Sequence, residues 1–218
     1  MKVVPFGDDA VLVELADLAQ VRALDDAVRA ARARGELPDV VDQVPAAASL
    51  LLRAAGQVDA AVWAVAVARC WEASTRGTAG ATLVEDASSA DTLVDLQVRY
   101  DGPDLQGVAD LVGMSVEEVV GRHTAATYTV AFGGFMPGFA YLVGLDPTLR
   151  VPRRDSPRER VPAGSVAVAD EFSAVYPAAT PGGWQLLGTC DAALWDVHRD
   201  PPALLVPGMR VRFVRVER

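Results

Sequence analysis

The sequence predicts an α+β fold in two parts, a two-layer α/β sandwich at 1–92 and a closed or nearly closed β-barrel at 93–218. Of its 218 residues, 51% are hydrophobic and 22% charged, which is enough apolar surface for a buried core. Regular helical periodicity dominates the first part. Thirteen of the 18 glycines and eleven of the 14 prolines lie in the second part, where short strands alternate with turns.

The first part combines strands with an amphipathic helix. The alternating segment Ala10–Leu15 (AVLVEL) predicts a strand. Apolar residues then recur at three- and four-residue steps from Asp17 to Arg34, and Gly35 follows as a helix C-terminal signal. Further on, the sequence predicts paired strands at Val40–Val44 and Ser49–Arg53, a helix or strand around Val58–Trp71, a last strand at Ala81–Glu85 and a polar linker at about 88–95.

The second part begins with a predicted strand, Leu93–Tyr100, and two helices. The first helix covers Leu105–Val112, and the second begins after Ser115, which forms a Ser-x-x-Glu capping box with Glu118. The second helix runs towards His123. Short strands between Gly/Pro turns follow at Thr127–Phe132, Ser165–Ala169, Gln185–Thr189 and Arg210–Val216. This succession of strands is typical of a barrel.

The composition excludes several classes of chemistry. A net charge of −9 argues against non-specific nucleic-acid binding, and a single lysine, Lys2, argues against lysine-based catalysis. Two cysteines and two histidines, widely spaced, predict neither a disulfide framework nor a metal centre. Since no signal peptide and no apolar run of about 18 residues is found, we expect a cytoplasmic protein without a membrane span.

Three segments combine small residues with large aromatic side chains: GFMPGFAYLVGLD at 134–146, RVPAGSVAVADEFSAVYP at 160–177 and TPGGWQLLG at 180–188. Backbone N–H groups at such turns form anion-binding nests for carboxylate or phosphate. The alternative is structural, because barrels need tight corners and aromatic side chains close barrel ends. Both interpretations remain open from the residues alone.

Together these segments resemble a known family. The patterns GF-x-PGF-x-YL-x-GLD, PRR followed by R-x-RVPAGSV, YP and TPGGWQL-x-G are similar to the signature of the B subunit of bacterial 5-oxoprolinase. That family is also known as allophanate hydrolase subunit 1, sporulation kinase inhibitor and carboxyltransferase subdomain C and D. Because VVPFGDDAVLVEL resembles its N-terminal strand, the resemblance spans the whole chain. It implies an N-terminal α/β domain and a C-terminal cyclophilin-like β-barrel.

The resemblance also implies a function. Relatives act in ATP-dependent opening of 5-oxo-L-proline to L-glutamate, as non-autonomous subunits of a hydrolase of C–N bonds other than peptide bonds. The implied partners are the A subunit of 5-oxoprolinase and a carboxyltransferase-like C subunit, which is also known as allophanate hydrolase subunit 2, with ATP bound somewhere in the complex. Allophanate or urea metabolism is a related possibility. The alternative function is a regulatory binding module that inhibits a sensor histidine kinase.

Two residues are candidates for catalysis. His123 matches a histidine of the family pattern and is a candidate general base, although a helix-terminal histidine held by hydrogen bonds is an equal alternative. Arg153 is the first of four arginines, with Arg154, Arg158 and Arg160, that are candidates for binding phosphate or carboxylate. Their alternative role is to pair with acidic neighbours on a solvated loop.

The family motifs imply a set of substrate-binding residues. These are Phe135, Pro137, Gly138, Phe139, Tyr141, Gly164, Ser165, Tyr176, Pro181, Gly182, Gly183 and Trp184. One loop departs from the family pattern A-G-G-x-Q-T-G-I-Y-P, since Asp170 and Glu171 stand where it has glycines. Two acids in an anion site would repel a carboxylate, which predicts either a paralogue with a changed substrate or a chain whose contribution is mainly structural.

Overall fold

A computed structural model describes residues 1–37, 39–77 and 93–217. The chain divides into two compact units, Met1–Val84 and Glu85–Arg218. The predicted α+β class is confirmed, with a sheet-and-helix sandwich in the first unit and a nearly closed barrel-like sheet in the second. The predicted strand at Ala81–Glu85 and most of the predicted linker at 88–95 lie outside the described residues, so the boundary at 92/93 stays a prediction.

The first unit is a four-stranded antiparallel sheet with two helices. Its elements are β1 (Lys2–Pro5), β2 (Ala10–Glu14), α1 (Leu18–Ala33), β3 (Val40–Pro45), β4 (Ser49–Ala54) and α2 (Ala60–Gly77). The strand order is β1-β2-β4-β3. Val11 and Val13 of the sheet pack with Val21, Leu24 and Val28 of α1 in one buried core. The segment that the sequence left as helix or strand is the helix α2.

The ends of α1 follow from local chemistry. Asp17 caps its N-terminus, because the side chain accepts a hydrogen bond from the backbone N–H of Gln20 at 2.9 Å. At the other end Gly35 has φ +74°, the left-handed conformation that glycine adopts without steric cost. The predicted helix and its stop are therefore confirmed.

The second unit is built around one seven-stranded sheet. Its elements are β5 (Leu93–Val98), α3 (Leu105–Val112), α4 (Val116–Ala125), β6 (Tyr128–Gly133), β7 (Ala140–Val143), a 3-10 turn (Pro147–Leu149), β8 (Arg158–Val161), β9 (Ser165–Ala169), β10 (Phe172–Val175), β11 (Thr180–Gly182), β12 (Gln185–Thr189) and β13 (Arg210–Arg215). The order is β12-β9-β10-β7-β6-β13-β5, while β8 and β11 form a separate pair. The parallel pair β5–β13 contrasts with its antiparallel neighbours.

A backbone bridge closes the sheet. Arg99, just after β5, exchanges two backbone hydrogen bonds with Thr189 of β12, at 2.9 and 2.8 Å, so the two outer strands of the sheet meet. Two glycines allow this approach. A Cβ on Gly188 would lie 2.2 Å from the Arg99 carbonyl oxygen, and one on Gly102 would lie 2.3 Å from the Leu186 carbonyl oxygen. The barrel closes where backbones lie too close for side chains.

The helices α3 and α4 match the predictions. Ser115 and Glu118 form the capping box, in which each side chain bonds the other residue's backbone N–H. Four strands of the second unit were not predicted, namely β7, β8, β10 and β11, because they lie within turn-rich segments. No helix among the described residues combines the length and the apolar character needed to cross a membrane.

Candidate functional site

A cavity of about 230 Å³ lies on the side of the barrel in the second unit. It is bounded by the turn after β5 and by strands β8, β9 and β12. Its lining is Asp101, Gly102, Pro103, Arg158, Arg160, Pro162, Ser165, Leu186, Gly188 and Thr189. The lining thus combines two guanidinium groups with hydroxyl and carboxylate oxygens. The cavity is the first candidate for a small-molecule site.

A buried carboxylate anchors one side of this cavity. The Oδ1 atom of Asp104 accepts from Arg154 Nη1 at 3.0 Å and from Arg158 Nη2 at 2.6 Å. Its Oδ2 atom accepts from the backbone N–H of Leu186 at 2.7 Å. Asp104 precedes α3, but its side chain does not cap that helix. It instead ties the start of α3 to β12 and to the arginines around β8.

One nitrogen of the Arg158 guanidinium group has no hydrogen-bond acceptor among the described residues. Its Nη1 atom is buried, and no oxygen among the described residues accepts a hydrogen bond from it. The neighbouring Arg160 lines the same cavity, and among the described residues it forms no ion pair. An unpaired buried N–H on a charged group is unfavourable until an acceptor reaches it. The cavity lining therefore carries positive charge, and one of its residues, Arg158, has a buried donor without an acceptor among the described residues.

His123 lies in the core of the barrel. Its ring is fully buried and stacks on Phe213 with centroids 4.5 Å apart. Nδ1 lies 2.8 Å from the Tyr100 hydroxyl and Nε2 lies 3.0 Å from Ser173 Oγ. Since Ser173 gives its proton to the Ala167 carbonyl, it must accept from Nε2–H, and Tyr100 then donates to Nδ1.

This arrangement keeps His123 neutral. Burial lowers the pKa of His123 to about 3 and raises the pKa of the Tyr100 hydroxyl well above its usual value. Both ring nitrogens are used within the core, so the geometry supports the structural alternative. The predicted role as general base stays a prediction that no contact of the ring supports.

The predicted aromatic residues form a second cluster in the barrel unit. The Phe139 ring lies edge to face against four other aromatic rings, with centroid distances of 5.0 to 5.8 Å. These rings belong to Phe135, Tyr141, Tyr176 and Trp184. Gly182 lies against them, because a Cβ there would meet the Tyr176 hydroxyl. Most of this cluster is buried. Phe135 differs, being 60% exposed with φ +66°, a backbone conformation rare for a bulky side chain.

The other predicted residues are dispersed. Gly164 and Ser165 lie at the cavity side, where a Cβ on Gly164 would meet the Cys190 carbonyl. Gly138 packs against Leu194 and Trp195, and its neighbour Pro137 precedes it in the β6–β7 connection. Pro181 lies in the β8–β11 pair and Gly183 follows it. The structure thus separates an aromatic cluster from a polar cavity. The sequence reasoning missed Asp101 and Thr189 in the cavity lining and Asp104, which binds Arg158.

Arg153 lies apart from the cavity. Its Nε is 3.9 Å from the Asp170 carboxylate, and both side chains are exposed. Asp170 has φ +52° and, with Glu171, forms the turn of the β9–β10 hairpin, where Ala169 pairs with Phe172. Aspartate tolerates this left-handed conformation better than most residues, which explains how it occupies a position typical of glycine. Neither acid lines the cavity, so their charge does not oppose an anion there.

The chain is similar to known proteins over most of its length. The profile of the family described as carboxyltransferase domain, subdomain C and D, matches residues 1–205. The 5-oxoprolinase B subunit of Escherichia coli O157:H7 is 37% identical over 212 residues, covering 95% of this chain and 93% of that protein. Among solved structures, TTHA0988 is 37% identical with a TM-score of 0.70 over 96% of this chain.

Two of the similar solved structures belong to longer chains. This chain spans 40% of the length of TTHA0988. It also matches Kluyveromyces lactis urea carboxylase with a TM-score of 0.74, covering 99% of this chain and 22% of that enzyme. At 19% identity the second likeness shows a shared fold.

Proposed function

Since the chain belongs to the carboxyltransferase-domain family of subdomains C and D, we propose that it is the B subunit of a 5-oxoprolinase complex. The observation that carries the proposal is the 37% identity to a 5-oxoprolinase B subunit that extends over 95% of this chain and 93% of that relative. The reaction is the hydrolysis of the lactam C–N bond of 5-oxo-L-proline to L-glutamate. A cytoplasmic location is part of the same proposal.

Lactam opening needs an activated carbonyl, and ATP supplies this activation in the proposed reaction. The cavity formed by the described residues does not fit a nucleotide. The cavity of about 230 Å³ is smaller than the roughly 300–1,000 Å³ of sites for larger ligands, and the chain's one lysine is not in a phosphate-binding loop. We therefore assign ATP to another component of the complex.

The partners that we propose are the A subunit of 5-oxoprolinase and a carboxyltransferase-like C subunit. The longer chain of TTHA0988 supports this, because the present fold accounts for 40% of it and leaves room for a further domain. The exposed Phe135 is the aromatic residue best placed to contact a partner or substrate. Roles for the other aromatic residues, and for His123 and Arg153, remain predictions.

The test is reconstitution. Mixing this chain with cognate A and C subunits should release glutamate and ADP from 5-oxo-L-proline, and omitting this chain should abolish the release. The matched control replaces it with a B subunit of demonstrated activity. If the control complex turns over 5-oxo-L-proline and the complex with this chain does not, the proposal is wrong.

A further inference from the structure

We propose that the cavity beside Arg158 binds a small carboxylic acid that also carries an N–H group, with Arg158 and Arg160 as donors to its carboxylate. Of the residues that line this cavity, Ser165 was predicted to bind substrate, and Arg158 and Arg160 were candidates for binding phosphate or carboxylate. The choice of 5-oxo-L-proline as the natural ligand rests on the proposed function. The carboxylate site itself rests on the geometry of the cavity.

The first argument is the spare donor of Arg158. Nη2 is used by Asp104 at 2.6 Å, whereas Nη1 is buried with no acceptor among the described residues. A guanidinium that is already oriented by one carboxylate binds a second oxygen acid without ordering its side chain again, once a small shift of the lining uncovers Nη1. Arg199 has a similar buried nitrogen, but it does not line the cavity.

The second argument is the division of the lining into donors and acceptors. Thr189 Oγ1 donates to Asp101 Oδ1 at 3.0 Å, and Ser165 Oγ donates to the Pro162 carbonyl at 2.8 Å. Both hydroxyl protons are committed, so these oxygens, like Asp101, offer acceptors to a ligand. A ligand with a carboxylate near the arginines and an N–H near these oxygens matches both the donors and the acceptors of the lining.

The third argument is size and charge. A cavity of about 230 Å³ accommodates a single-ring metabolite but not a nucleotide. Within the lining, Arg158 and Arg160 outweigh Asp101 by one positive charge, which favours an anion despite the overall acidity of the chain.

The structure offers a matched control for Arg158. Arg154 also binds Asp104, at 3.0 Å, but does not line the cavity. Arg158→Gln and Arg154→Gln therefore both weaken the support of Asp104, whereas Arg158→Gln alone removes the spare donor. Arg160→Gln provides a second cavity variant at an exposed position, in case Arg158→Gln lowers the thermal unfolding temperature too far for binding measurements.

The experiment is calorimetric titration of the full chain with four probes. 5-Oxo-L-proline and cyclopentanecarboxylate carry the carboxylate, 2-pyrrolidinone carries the lactam alone, and inorganic phosphate is a different anion. We expect binding of 5-oxo-L-proline, weaker binding of cyclopentanecarboxylate and none of 2-pyrrolidinone. Arg158→Gln should raise the Kd at least about tenfold, the loss of a charged hydrogen bond, and Arg154→Gln less than about twofold.

Other results would overturn the site. If Arg154→Gln and Arg158→Gln weaken binding of 5-oxo-L-proline equally, the effect of Arg158→Gln is structural. Phosphate binding tighter than the carboxylates would contradict the ligand class. If no probe binds, the cavity is not a carboxylate site. An active complex whose KM is unchanged by Arg158→Gln would reject the site and keep the proposed function. Arg158-dependent carboxylate binding with an inactive complex would keep the site and reject that function.

Discussion

The barrel unit contains two buried polar clusters whose hydrogen bonds are completed to different degrees. In the first, His123 is neutral and both ring nitrogens have partners in Tyr100 and Ser173. In the second, Asp104 accepts three hydrogen bonds, but its partner Arg158 retains a buried donor without an acceptor among the described residues. The first cluster lies in the core, and the second borders a cavity.

The contrast between the two clusters distinguishes a role in stability from a role in binding. A buried neutral network with complete hydrogen bonding orders a core and leaves nothing for a ligand. The charged cluster borders the cavity with one donor unpaired, which is the position that the proposed ligand would fill. One short segment connects them, since Tyr100 belongs to the histidine cluster and Asp104, four residues later, to the arginine cluster. Changes in either cluster test this division.

The largest effect is expected from Asp104→Ala. It removes the acceptor of Arg154, Arg158 and the Leu186 N–H and leaves buried donors unpaired. Breaking a buried ion pair from one side costs about 3–5 kcal/mol of unfolding free energy. Urea denaturation measures this loss. Asp101→Ala, an exposed carboxylate of the same turn, is the control and should cost less than about 1 kcal/mol. Equal losses in both variants would contradict the special role of Asp104.

A smaller, pH-dependent effect is expected from His123. Its pKa in the folded state is about 3 against an ordinary value of 6.5, so below pH 6.5 the unfolded chain binds a proton that the folded chain does not. The stability that neutral His123 contributes is complete above pH 6.5 and falls as the pH drops towards 3, by roughly 1.4 kcal/mol per unit.

The measurement compares urea unfolding of the native chain and His123→Gln at pH 7, 6 and 5. Because the carboxyl groups titrate in the same way in both proteins, the difference between the two unfolding free energies reports on His123 alone. The native chain should lose about 2 kcal/mol relative to the variant by pH 5. Parallel pH curves for the two proteins would show that His123 is accessible to protons when folded, and would restore it as a candidate general base.

The smallest effect is expected from Arg153→Ala. Arg153 and Asp170 are both exposed and 3.9 Å apart, so their pairing adds less than about 0.5 kcal/mol. Thermal unfolding should barely change, and 5-oxo-L-proline binding should be within error of the native chain. A loss comparable to that of Arg158→Gln would place the anion site at the β9–β10 turn instead of the cavity.

Local signals predicted the helices well and the site less well. Asp17, Gly35 and the Ser115–Glu118 box act within one turn of helix, so the sequence displays them directly. The strand Arg158–Val161 (RERV) has no alternating apolar pattern, and Thr180–Gly182 contains a proline, so both were missed.

The arrangement of the site depends on distant partners. Asp104 gains its role from Leu186, 82 residues later, and from Arg158, 54 residues later. No local pattern distinguishes Arg158 from its neighbours Arg153, Arg154 and Arg160. Only the fold shows which of them lines a cavity, and the catalytic role of Arg153 stays a prediction.

The position of β13 between β5 and β6 constrains the order of folding during synthesis. Asp95 and Arg212, an ion pair across the parallel strands, are separated by 117 residues. The sheet therefore cannot be completed until residues 210–215 have left the ribosome, and contacts of such long range form slowly. Until then β5 and β6 lack their shared neighbour, and the nascent barrel exposes strand edges that chaperones or a partner protein would need to protect.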